Sequence, residues 1–124
     1  MSDLKFDTER FSNYAVVAVK NDKLNSVVAP DLKGEFVLLS NDNIPNLILD
    51  LTDVAFADSS GLSAILAANR LCGNAGGHLA LVGINDYVKK LIQISKLDSI
   101  LHIMESMEDA KTFIMLKAGS GEEE

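Results

Sequence analysis

Four consecutive residues, Asp58-Ser59-Ser60-Gly61, bring one carboxylate, two hydroxyls and a glycine to a point where a helix has to begin. The first amides of any helix lack partners within it and carry the positive end of the helix dipole. A phosphate on a serine here would add about −1.5 to −2 charges and three acceptor oxygens, which such amides can partly compensate. A partner surface shaped for a neutral hydroxyl and a small glycine would instead meet a dianion beside Asp58, and like-charge repulsion with desolvation would oppose docking. The bland use of the same residues is structural: Ser59 or Ser60 caps the helix, and Gly61 permits close packing of strand and helix.

Other chemistries fit less well. A nucleophilic serine needs a base and an oxyanion site, and Ala57-Asp58-Ser59-Ser60-Gly61 lacks the Gly-x-Ser-x-Gly elbow. The histidines, His78 and His102, fall at the start of a strand and within one, so neither is placed as a general base. Asp50 and Asp53 sit at a strand end and in a loop, where turn chemistry explains them. The lone cysteine, Cys72, forms no internal disulfide and has no metal-ligand spacing around it, so metal and cofactor are both expected to be absent.

The elements that must position the serines can be read from periodicity. Leu4 and Phe6 alternate with polar neighbours, and Tyr14 to Val19 is a strand-prone run, giving two opening strands. Ser26 or Asn25 can cap a helix from about Val28 to Ser40, with Pro30 in its first turn and Leu32, Phe36 and Leu39 on one face. The nearly continuous apolar stretch Asn46 to Leu51 reads as a central strand covered on both faces. After the serines, Leu62, Ile65, Leu66, Asn69, Cys72 and Ala75 mark one helical face, and Gly76-Gly77 stops it. Then come a strand at His78 to Val82, a helix capped by Asn85 or Asp86, a strand at about Ile100 to Met104, and a helix capped by Ser106. The order β-β-α-β-α-β-α-β-α predicts an α/β fold, one domain over residues 1–118 with a mostly parallel mixed sheet and helices packed on it. The acidic end, residues 119–124, is expected to be a disordered tail.

Charge narrows the partners. Among 124 residues, 18 acidic against 11 basic side chains give a formal net charge of −7, which disfavours nucleic acid and anionic membrane. No run approaches the ~18 apolar residues of a membrane span or the pattern of a signal peptide, so a cytoplasmic location is expected. The helix after Ser60 is unusual, because Ser63, Ala64, Ala67, Ala68 and Leu71 occupy positions where a solvated helix carries Lys and Glu, and Arg70 is its single charge. That face is expected to dock a protein partner or, without one, to support a weak homodimer, unless another element of the same domain covers it.

Leu47-Ile48-Leu49-Asp50-Leu51, a spacer to Phe56, and Asp58-Ser59-Ser60-Gly61-Leu62 resemble the core signature of STAS domains in bacterial anti-sigma-factor antagonists, and the element order agrees from about Leu4 to Lys117. The resemblance implies a non-enzymatic partner switch. The unmodified protein would bind an anti-sigma factor that is also a serine kinase, freeing a sigma factor; phosphorylation would end the binding and a serine/threonine phosphatase would reset it. By position Ser59 matches the phosphorylated residue, with Asp58, Ser60, Gly61, Ser63, Ala64, Ala67 and Asn25 in the partner surface. ATP and magnesium would belong to the kinase, since this chain has no Gly-rich phosphate loop. The family often has an acidic residue in the loop after the second strand, where this chain has Asn25, with Asp22 close by. The alternative use of such a domain is a constitutive interaction subunit of a signalling scaffold or lipid-transport complex, with Ser59 unmodified.

Overall fold

The computed structural model describes residues 5–122, with side chains through residue 117. β1 (Phe6–Arg10) and β2 (Tyr14–Val19) pair antiparallel, and are followed by β3 (Lys23–Leu24), α1 (Ala29–Asn41), β4 (Asn46–Asp50), β5 (Phe56–Ala57) and α2 (Ser59–Asn74). β6 (Leu79–Val82), α3 (Asp86–Ile94), β7 (His102–Met104) and α4 (Met107–Glu122) complete the chain. The main sheet has the order β1-β2-β4-β6-β7, and every pairing after the first is parallel. The expected mixed α/β sheet is present.

Strand alternation sorts the core into two layers. Ala15, Val17 and Val19 of β2, Leu47 and Leu49 of β4, and Leu79 and Leu81 of β6 face the larger cluster with α1, α2 and α3. Val16, Ile48, Ala80 and Val82 point the other way and meet Ala110 and Ile114 of α4. With side chains alternating at period two, a strand covered on both faces must be apolar at every position, which is why Leu47-Ile48-Leu49 is continuous.

Helix ends follow local chemistry. The Asn85 side chain accepts the Val88 amide at 2.8 Å to start α3, and Ser106 accepts the Asp109 amide at 3.0 Å to start α4. Gly76, at φ 78°, supplies the left-handed residue that ends α2, and the Gly77 amide reaches back to the Cys72 carbonyl at 2.7 Å. Behind Gly77 the chain has no room: a Cβ there would lie 1.8 Å from the Pro45 carbonyl oxygen.

Two features depart from the sequence reading. β3 and β5 form a separate two-stranded parallel ladder, Lys23 opposite Phe56 and Leu24 opposite Ala57. Two-residue strands are too short to print a period, so the expected element order omitted them. At the other end, α4 stays helical through Glu122, so its backbone runs into the segment expected to be a disordered tail; residues 123–124 lie outside the described residues.

Candidate functional site

The β3–β5 ladder is what presents the serines. Its register sets Leu24 beside Ala57, and the Asp58 amide donates to the Leu24 carbonyl at 3.3 Å, so the chain after β5 is held against the chain after β3 where α2 begins. Gly61 makes the approach feasible, because a Cβ at that position would sit 2.3 Å from the Leu24 carbonyl oxygen. Asn25, the next residue along, accepts the amides of Val27 at 3.1 Å and Val28 at 3.4 Å through its side chain and so builds the turn leading into α1. The Asp22 carbonyl accepts the amides of Ala55 and Phe56, fastening the start of the same ladder.

The cap of α2 is Asp58. One carboxylate oxygen accepts the Ser60 amide at 2.9 Å and the Gly61 amide at 3.1 Å. This corrects the expectation that a serine caps the helix, and equally the expectation that free amides wait there for a phosphate: two of them are already bonded to a carboxylate. Neither the Ser59 nor the Ser60 hydroxyl has a hydrogen-bond partner within the described residues. Ser59 is exposed, and Ser60 and Asp58 are half-buried.

A shallow cleft of about 380 Å³ opens between the starts of α1 and α2, lined by Ser26, Ala29, Pro30, Lys33, Ser59, Ser60 and Ser63. Across it the Lys33 ammonium donates to the Ser63 hydroxyl at 3.0 Å. Sequence reasoning missed Lys33, Ser26 and Pro30 as site residues, since nothing in helical spacing says which neighbour will lie across a cleft. It also missed a flanking aromatic pair: Phe56 and Tyr87 stack with ring centroids 5.3 Å apart while both stay exposed. Asn85 holds that corner by donating to the Ala55 carbonyl at 3.1 Å.

The anticipated docking face divides. Asp58, Ser59, Ser60, Ser63 and the Asn25 turn come together at one end of the molecule. Gly61, Ala64 and Ala67 do not join them at the surface, since all three are buried and Ala64 is wholly inaccessible. Gly61 is buried against Leu24 of β3 and α1 packs along α2, so the small residues mark close contacts inside the domain and not an outer face. The weak homodimer expected through that face therefore loses its basis. What α2 does expose is Ser59, Ser63, Arg70, Gly73 and Asn74.

The STAS domain model matches residues 6–110, most of the chain. The chain belongs to the STAS domain family. This STAS chain is similar to the anti-sigma F factor antagonist of Paenibacillus polymyxa, 34% identical over 67 residues that cover 54% of this chain and 57% of that protein. It is also similar to the anti-sigma-B factor antagonist of Staphylococcus aureus, 22% identical over 86% of this chain and 97% of the relative. Among solved structures, an anti-sigma factor antagonist from Mycobacterium paratuberculosis superimposes with a TM-score of 0.77 at 25% identity, covering 88% of this chain and 92% of that one. Within this STAS domain no described helix is long and apolar enough to cross a membrane. The described residues hold no group of three or more His, Cys, Asp or Glu side chains arranged for a metal ion.

Proposed function

We propose that this chain is an anti-sigma factor antagonist that works in the cytoplasm as a phosphorylation-controlled partner switch, a binding protein and not a catalyst. In its unmodified form it binds an anti-sigma factor with serine kinase activity and releases a sigma factor; phosphate on Ser59 ends the binding, and a serine/threonine phosphatase restores it. The observation that carries this reading is that Asp58, and not Ser59, caps α2, which leaves the exposed Ser59 hydroxyl with no structural task. Membership of the STAS family and the names of the two relatives support the same role. The docking surface in this reading is Ser59, Ser60 and Ser63 with the Asn25–Ser26 turn and exposed Phe56. A phosphate added there stands beside the Asp58 carboxylate, so the modified surface is doubly repulsive to a partner fitted to the neutral one.

The test is peptide-mapped mass spectrometry of the protein from its native cells, combined with calorimetric binding to the purified anti-sigma factor. A condition-dependent phosphate on Ser59, with Ser59→Ala binding like the unmodified chain and Ser59→Glu binding at least about tenfold more weakly, is the expected result. Ser59 unmodified in every condition and equal binding by Ser59→Glu would replace the switch with a constitutive interaction subunit.

A further inference from the structure

The cleft that exposes Ser59 is lined by hydroxyls and hydrocarbon apart from one cation, Lys33. A phosphate on Ser59 cannot draw on the Ser60 and Gly61 amides without displacing the Asp58 carboxylate, which holds them at 2.9 and 3.1 Å. It arrives beside a negative charge, and two of the first amides of α2 are already occupied. Among the described residues the Lys33 ammonium bonds the neutral Ser63 hydroxyl, at 3.0 Å, and no carboxylate, whereas Lys5, on the other side of the start of α1, is paired with Asp31 at 3.2 Å. Ser59 and Ser63, both exposed, are one helical turn apart on α2, a separation of about 5–6 Å between Cβ atoms. A lysine ammonium is a compact charge with three donors on a flexible stem, so it can turn toward a phosphate at Ser59 while still based on α1.

We propose that Lys33 is the intramolecular receiver of the Ser59 phosphate. On phosphorylation its ammonium moves from the Ser63 hydroxyl to the phosphate oxygens, and the ion pair ties α1 to α2 across the cleft. The proposal rests on Ser59 being the modified residue and adds to that reading a regulatory contact made by the chain itself. The phosphorylated form then differs from the free form by an ion pair across the cleft in place of the Lys33–Ser63 hydrogen bond, as well as by added charge, and Lys33 is a positioning residue for the modified state.

The test uses the full chain with phosphoserine incorporated at position 59 during translation, so that no kinase is required. Phosphorus NMR follows the second ionisation of the phosphate, ordinarily near pKa ~6. A neighbouring ammonium favours the dianion and lowers that value, and for a solvent-facing pair the expected difference between wild type and Lys33→Met is at least about 0.3 pH unit. Lys33→Arg retains the lowered value, and Lys5→Met, which removes the same net charge from a site paired with Asp31, leaves it unchanged. Identical titration of wild type and Lys33→Met overturns the proposal, and so does an equal displacement in Lys5→Met, which would assign the effect to net charge. Because the phosphate is built in, failure of the switch in cells and failure of the Lys33 contact are separate results.

Discussion

One oxygen of the Asp58 carboxylate is shared by two amides, that of Ser60 at 2.9 Å and that of Gly61 at 3.1 Å, and this single contact settles the division of labour at the start of α2. The acid does the structural work and the adjacent hydroxyl is left free. Asp58→Ala should therefore lower stability by about 0.5–2 kcal/mol in urea unfolding, with Asp58→Asn recovering most of the loss because asparagine caps as well. Ser59→Ala should stay within about 0.5 kcal/mol of wild type, since its hydroxyl supports nothing in the fold.

Gly61 and Gly34 predict opposite outcomes for the same substitution. A Cβ on Gly61 would press on the Leu24 carbonyl oxygen at 2.3 Å, and the backbone there cannot swing aside as a side chain would. Gly61→Ala should cost about 1–3 kcal/mol and loosen the β3–β5 ladder. Gly34, within α1, has nothing within 4 Å of its would-be Cβ, so Gly34→Ala should stabilise by about 0.5–1 kcal/mol through reduced freedom of the unfolded chain. Paired urea titrations check both signs.

Cys72 lies in the core of α2, and burial pushes its thiol pKa up from 9.0 to about 12. Iodoacetamide at pH 8 should leave the folded protein unlabelled and label it fully in denaturant, as read by intact mass. The same shift sets a linkage: between about pH 9 and 12 the unfolded thiol ionises while the folded one stays protonated, so this contribution to stability is intact below pH 9 and is lost as pH rises.

His78 and His102 flank Phe113, with ring centroids 6.0 and 4.8 Å away, and Lys117 reaches over the same ring. Burial, then the Lys117 charge, then His102, hold the His78 pKa below its usual 6.5. The folded state therefore prefers neutral His78. Its contribution is complete above pH 6.5 and falls as pH drops through the lowered value, because the unfolded chain takes up the proton first. Melting temperature should decline below pH 6.5, and His78→Gln should make that decline shallower at constant ionic strength.

Much of this molecule follows from its sequence, because the signals involved are local. Leu47-Ile48-Leu49 had to be a strand covered on both faces, Gly76-Gly77 had to end a helix, and Asp58-Ser59-Ser60-Gly61-Leu62 after that strand carried the resemblance to the family. Each depends on residues within a few positions of one another, where period, cap and turn chemistry act directly. Tertiary structure decided what lies across from what. Ala64 and Ala67 read as an outer face until α1 is seen packed along α2, because small residues serve equally well at a docking surface and at a close internal contact. Lys33 is 30 positions from Ser63, and Leu24 faces Ala57 across a ladder of two residues; neither separation has a period to betray it. The choice of Asp58 over Ser59 as the cap was decided in the same way. Both residues cap well, and it is the hold of the Leu24 carbonyl on the Asp58 amide that sets where the helix begins and which side chain is left exposed.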